Sequence, residues 1–223
     1  MVDVPNPGEH HPAFEEYCEC IFELREDALE VIQARIAERL RVSRPSVSEM
    51  IKRMTEENLI EVADGRILLT DLGESLAQSV VRRHRLAERF ITDILGLSWA
   101  LAHREAGRWE HVMSDEVEAA MSRVLGDPTT CPHGNPIPGT QYAPPTALRL
   151  NEVTVGQTFT VSRIPEELEF TPGMLEFLER TTLVPGTTAK VKNAVGTGEM
   201  TVTVNNEDID VNAFACSRIF VTV

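Results

Sequence analysis

The run DPTTCPHGNPIPGTQYAPPT, residues 127–146, constrains this chain more than any other stretch, because its proline and glycine density admits no helix or strand. On its N-terminal side apolar residues recur at the helical period; from Leu148 onward they alternate with period two, as in LRLNEVTVGQTFTVSRI. From Gln141 the run reads as a linker, so the chain divides into a helical part and a separate small all-β part. A length of 223 residues fits one or two domains. We expect a mainly α N-terminal part with a winged helix-turn-helix and a helical dimerisation region, followed by a small all-β, SH3-like barrel. The boundaries we assign are 1–75 for the winged helix-turn-helix, 76–141 for the metal-binding and dimerisation helices, 142–149 for the linker and 150–223 for the β domain.

Composition narrows the function. With 42% hydrophobic and 25% charged residues, the chain can bury a real core. No apolar run approaches the ~18 residues that a membrane span needs, and the polar, acidic N-terminus does not read as a signal peptide; a cytoplasmic location is expected. Pro5, Pro7, Gly8 and Pro12 mark residues 1–12 as an extended arm. Cys18, Cys20, Cys131 and Cys216 form no Cys-x-x-Cys pair, so reduced thiols are expected. A net charge of −14 argues against a general nucleic-acid coat. The charge is uneven, however: between Val31 and Thr55 six basic residues (Arg35, Arg39, Arg41, Arg44, Lys52, Arg53) face two acidic ones (Glu38, Glu49).

That basic stretch carries a recognisable pattern. Val31, Ile32, Ile36, Ala37 and Leu40 mark a short helix, and a turn leads to a second one whose start is signalled by Ser43 as N-cap and Pro45 in the first turn. Two β-prone runs, LIEV and RILLT, follow as a hairpin. A helix-turn-helix followed by a hairpin is a winged helix, with the second helix in the major groove of DNA. Its contacts would come from Arg35, Ser43, Arg44, Pro45, Ser46, Ser48, Lys52 and Arg53, with Glu49 able to accept from a cytosine amino group and Arg66 at the wing. Ser46 and Ser48 also suit simple capping and surface roles.

Upstream, AFEEYCECIFELRE holds Phe14, Tyr17, Ile21 and Leu24 on one helical face and Glu15, Glu16, Glu19 and Glu23 on the other, a set that solvent or a ligand could satisfy. Downstream, the stretch Val81–Val117 reads as two helices broken near Gly96, of which the first places His84 and Glu88 four apart on one face. A second helix, after Gly96, places His103, Glu110 and His111 on one face. Imidazole mixed with carboxylate suits Fe(II), Mn(II), Co(II), Ni(II) or Zn(II). The apolar segment LAERFITDILGL suits dimerisation, which would double the DNA contacts across a two-fold site. Cys131 and His133 have metal-pair spacing, but packing of the turn explains them equally well.

RRHRLAERFITDILGL, HREAGRWEHVMSDEVE and PHGNPIPG, in this order, resemble the metal-dependent repressors of the diphtheria toxin repressor and manganese transport regulator family, over nearly the whole chain. The resemblance implies a homodimeric repressor of palindromic operator DNA, activated by Mn(II) or Fe(II), with Co(II), Ni(II), Zn(II) or Cd(II) as stand-ins in vitro and no small organic substrate or membrane partner. It implies an ancillary site at His84, Glu88, His103, Glu166 and Glu169. It implies an activating site at Glu110, His111, a first-helix side chain at Glu16 and the backbone carbonyl of Gly107. Iron-type members carry Met and Cys where this chain has Glu16 and Gly107. Manganese-type members carry carboxylates at both places, of which Glu16 reproduces one. Loss of sulfur donors favours the harder Mn(II). Two other readings remain: a regulator that has lost metal sensing through Gly107, and a metallohydrolase, which lacks any HExxH-like signature here.

Overall fold

The computed structural model describes residues 12–223; the expected N-terminal arm lies outside them except for Pro12, which opens the first helix. The described residues form two compact units, 12–84 with Gly107–Ala119, and Arg85–Ala106 with Ala120–Val223.

The first unit begins with α1 (Pro12–Glu26), α2 (Gln33–Arg39) and α3 (Arg44–Glu56). As its sequence signals require, α3 is capped by Ser43, whose hydroxyl accepts from the Ser46 backbone N–H at 3.2 Å, with Pro45 in the first turn. Val47, Ile51 and Met54 turn inward and leave Arg44, Ser48, Glu49, Lys52 and Arg53 exposed. Strands β1 (Ile60–Ala63) and β2 (Arg66–Leu69) pair antiparallel, Ala63 opposite Arg66. The two residues between them, Asp64 and Gly65, have φ of 51° and 76°, the mirror-image turn that suits the twist of a hairpin. One core joins these pieces: Tyr17, Ile21 and Leu24 of α1, Ile36 of α2, the inner face of α3, and Ile60 and Ile67 of the hairpin. Each such aliphatic side chain contributes roughly 1.5–3 kcal/mol on burial. The unit is completed by parts of α4 (Asp71–Asp93), α5 (Trp99–Trp109) and α6 (Asp115–Val124). Arg83 holds α4 to α6 through Asp115 at 2.8 Å, and Arg82 does so through Glu118 at 2.6 Å.

The second unit is built on a six-stranded antiparallel sheet: β3 (Leu148–Arg149), β4 (Thr158–Arg163), β5 (Thr188–Ala194), β6 (Met200–Val204), β7 (Glu207–Val211) and β8 (Phe220–Thr222). Their spatial order is β3-β8-β4-β5-β6-β7, so among the described residues the expected barrel is an open sheet with β3 and β7 at its edges. Leu148 and Arg149, assigned to the linker by sequence, pair with Val221 and Phe220 and belong to the sheet. β6 shows the period-two logic plainly: Met200, Val202 and Val204 are buried and Thr201 and Thr203 less so. Three short α-helices accompany the sheet, α7 (Glu166–Glu169), α8 (Met174–Arg180) and α9 (Ala213–Cys216).

The CPHGN segment packs beside the end of β4. The Ile164 backbone N–H donates to His133 O at 2.8 Å, and the Asn135 side-chain amide donates to Ile164 O at 2.9 Å. Gly134 makes this approach feasible: its φ is +86°, and a Cβ there would lie 2.4 Å from Ser162 O. No helix among the described residues is long and apolar enough to cross a membrane.

Candidate metal centres

In the first unit, three segments bring carboxylates and imidazoles together. His84 lies on α4, and its Nδ1 is 2.5 Å from Glu110 Oε2 and 3.9 Å from Glu19 Oε1 of α1. His111 Nδ1 is 2.6 Å from Glu15 Oε2, and its Nε2 is 3.1 Å from Glu110 Oε1. Ligand atoms of Glu19, His84 and Glu110 lie within 4.8 Å of one another. Glu15 and Glu110 are buried, each 3% exposed, an unfavourable place for carboxylates without cationic company. The His111 ring is drawn toward its protonated form chiefly by its hydrogen bond to Glu15, against the opposing effect of burial. Its Nε2 is buried and makes no hydrogen bond despite the nearby Glu110.

Glu15 and Glu16 are placed differently. Glu16, the first-helix residue chosen from sequence, is exposed, whereas its neighbour Glu15 meets His111. Successive helical residues point about 100° apart, so only one of the two can face the cluster. The negative charge of Glu16 still acts on the His111 ring. Gly107 stands one turn before Glu110 and His111, and a Cβ there would meet nothing within 4 Å.

The second cluster lies in the other unit and is drier. Glu88 of α4, His133 of the CPHGN segment and Glu166 of α7 are 0% exposed, and Glu169 is 5% exposed. His103 Nδ1 is 3.0 Å from Glu88 and 3.3 Å from Glu169; His133 Nδ1 is 3.4 Å from Glu88 and 2.8 Å from Glu169. Cys131 Sγ sits 3.8 Å from His133 Nδ1. Glu166 is engaged by Arg85 at 3.1 Å, with both side chains fully buried, and Arg85 also donates to Pro136 O at 2.5 Å. Arg85 therefore balances Glu166, which leaves the two negative charges of Glu88 and Glu169.

Those charges dominate the local titration. Burial works against a charged His103, yet its hydrogen bonds to the Glu169 and Glu88 carboxylates push its pKa up to about 10. His133 is likewise raised well above its usual value, with the charges of Glu169 and Glu88 overcoming burial. Burial, reinforced by Glu88, pushes the Cys131 thiol up to about 11. A buried site that draws protons onto its histidines is short of positive charge, and one divalent cation would match Glu88 and Glu169. His133 Nε2 is buried without a hydrogen-bond partner. Imidazole, thiol and carboxylate within 4.8 Å, at Glu88, Cys131 and His133, fit such an ion. Sequence spacing flagged Cys131 and His133 without deciding between packing and coordination; Glu88 and Glu169, expected with His103, are distant from that pair in sequence, and their convergence on it was not foreseen.

The residues expected from sequence to face DNA lie on α2, at the start and along α3, and on the hairpin. Ser43, Arg44, Pro45, Ser46, Ser48, Glu49, Lys52, Arg53 and Arg66 are exposed, and Arg35 is half-buried. The Ser43 and Ser46 hydroxyls, 2.8 Å apart, take part in the helix cap. Arg53 lies 5.2 Å from the Phe14 ring.

A winged helix-turn-helix and two His-carboxylate clusters in one chain define a metal-responsive DNA-binding protein. Comparison with known proteins agrees. Residues 11–68 match the family model "Iron dependent repressor, N-terminal DNA binding domain", residues 70–139 match "Iron dependent repressor, metal binding and dimerisation domain", and residues 148–223 match "FeoA domain". The chain is 39% identical over 207 residues to the iron-dependent repressor IdeR of Mycobacterium tuberculosis, covering 87% of this chain and 90% of that protein. It is 52% identical over 126 residues to the diphtheria toxin repressor of Corynebacterium diphtheriae, 56% of each. Among solved structures, a manganese-dependent transcriptional repressor in complex with manganese superposes with a TM-score of 0.84 at 32% identity, covering 93% of this chain and 98% of that one. The chain belongs to the diphtheria toxin repressor and manganese transport regulator family and is a metal-dependent transcriptional repressor with a divalent metal cofactor.

Proposed function

We propose that the activating cation is held by Glu15, Glu19, His84, Glu110 and His111, with the Gly107 carbonyl completing the set and Glu16 at the rim. Glu88, His103, Cys131, His133 and Glu169 form a supporting centre whose charge Arg85 and Glu166 adjust. The observation that carries this reading is the convergence of buried carboxylates and imidazoles from α1, α4 and the end of α5. The first set offers oxygen and nitrogen donors without sulfur, which favours Mn(II) over Fe(II); Cys131 gives the second a softer donor. When bound, the cation supplies the positive charge that lets Glu15, Glu19 and Glu110 share one dry site.

The protein residues then do the mechanical part. Glu15 and Glu19 fix α1 against His84 of α4 and the Glu110-His111 corner. α1 shares its core with α2, α3 and the hairpin, so the recognition helix follows it. In a homodimer this biases the two α3 helices toward the spacing of successive major grooves. There Arg44, Lys52, Arg53 and Arg66 meet phosphates, while Ser46, Ser48 and Glu49 lie nearest the base edges. Such coupling is typically ~1–3 kcal/mol per linked site. Repression takes place in the cytoplasm on palindromic operators of metal-homeostasis genes, with no organic substrate. Calorimetric titration of Mn(II) into Glu15→Gln and Glu16→Gln tests the assignment. Glu15→Gln loses a binding event that Glu16→Gln retains; the reverse order would return the role to Glu16.

A further inference from the structure

Three carboxylates of α1, Glu15, Glu19 and Glu23, are spaced four apart and so line one face of the helix. The first two belong to the His84-Glu110-His111 cluster. Glu23 lies one turn, about 6 Å, beyond Glu19 along the helix axis and meets a different element: its Oε2 is 3.3 Å from Arg39 Nη1, at the last residue of α2. The Glu23 and Arg39 side chains are 4% and 6% exposed. Cys20, one turn before on α1, is 2% exposed, so the pair sits in a closed part of the first unit. From Arg39 the chain needs only the turn at Leu40–Val42 to reach Ser43, the cap of the recognition helix.

Buried ion pairs seldom stabilise a fold more than apolar replacements would, and their best-attested use is to fix register. Another tie at this end of α1, Arg25 to Glu74 at 2.7 Å, has an arginine 49% exposed and is weakened by solvent. We propose that the Glu23–Arg39 pair is the positioning contact through which α1, anchored at the metal cluster, sets the helix-turn-helix. The proposal rests on the assignment of Glu15 and Glu19 to the activating centre. Glu23 touches neither metal nor DNA in this account. It transmits a displacement of α1 to the C-terminal end of α2, and hence to the start of α3.

The test uses the full chain and a fluorescent family-type palindromic operator. For wild type, Glu23→Gln and Arg25→Gln, operator affinity is measured in Mn(II) and in chelator, Mn(II) affinity is measured without DNA, and thermal unfolding is recorded. In Glu23→Gln the ratio of operator affinities with and without Mn(II) falls about 3- to 10-fold, while Mn(II) affinity without DNA stays within about twofold. Arg25→Gln keeps the wild-type ratio. By reciprocity, operator DNA also tightens Mn(II) binding less in Glu23→Gln than in wild type. If Glu23→Gln does not fold, Glu23→Gln/Arg39→Gln, which removes both charges together, is read in the same way. A lowered unfolding temperature with an unchanged affinity ratio would reduce the pair to a structural contact and overturn the inference alone. A wild-type chain whose operator binding ignores Mn(II) would overturn the metal-centre assignment, and this inference with it.

Discussion

Arg85→Met is a severe test of the charge balance in the second unit. Arg85 and Glu166 are both 0% exposed, 3.1 Å apart, and Arg85 also serves the Pro136 carbonyl. Methionine replaces the length of arginine but leaves the Glu166 carboxylate buried without its cation. Removing one partner of a buried pair costs about 3–5 kcal/mol, and the abandoned Pro136 carbonyl adds about 1 kcal/mol. For a chain of this size each kcal/mol lowers the midpoint by roughly 2–4 °C, so the total fall is roughly 8–24 °C. The assay is thermal unfolding followed by circular dichroism in excess chelator. Glu166→Leu added to Arg85→Met removes the stranded charge and regains most of the loss. Excess divalent metal also rescues Arg85→Met more than wild type, because Glu166 lies with His103 and Glu169 in a group able to hold an ion. A loss below about 1 kcal/mol, typical of an exposed pair, with no recovery in the double variant, would refute the reasoning.

Two further outcomes follow from the same geometry. Gly107→Ala, in open space within α5, stabilises the chain by up to about 1 kcal/mol through helix propensity and leaves Mn(II)-dependent operator binding intact; chemical denaturation and anisotropy check the two halves. His103 contributes to the pH dependence. Its folded pKa of about 10 stands above the ordinary histidine value of 6.5, so its stabilising contribution is complete below pH 6.5 and is lost as pH rises through about 10. The metal-free chain therefore weakens on going from neutral to alkaline pH, while metal affinity rises because fewer protons must be displaced. Unfolding midpoints in chelator, together with calorimetry in buffers of different ionisation heat, register both trends.

Much of this was legible in the sequence because the relevant signals are local. Ser43 and Pro45 announce α3, Asp64-Gly65 the hairpin, and the shift from helical to alternating period the start of the β-sheet. The choice between Glu15 and Glu16 was not legible. It depends on how α1 is rotated, and α1 has eight buried residues among its fifteen, including Glu15 and Glu23, so its apolar stripe understates the surface it packs. The open edge of the β-sheet escaped for a related reason: alternation identifies strands but says nothing about whether the first and last of them meet. Cys131 and His133 needed Glu88 and Glu169 beside them to become a site, and those come from a helix far upstream and a four-residue helix far downstream. Local patterns carry the elements; convergence of charged groups from distant segments appears only when the chain is folded.

The most direct test of the central claim is operator binding by wild type and Glu110→Ala, followed by fluorescence anisotropy as Mn(II) is titrated from chelator. Glu110 touches both His84 and His111, so it joins the two halves of the first cluster. The account predicts that wild type binds the operator only as Mn(II) is added, and that Glu110→Ala, still folded, needs at least about tenfold more Mn(II), a cost of about 1.4 kcal/mol or more. Metal-dependent binding by Glu110→Ala equal to that of wild type would contradict it.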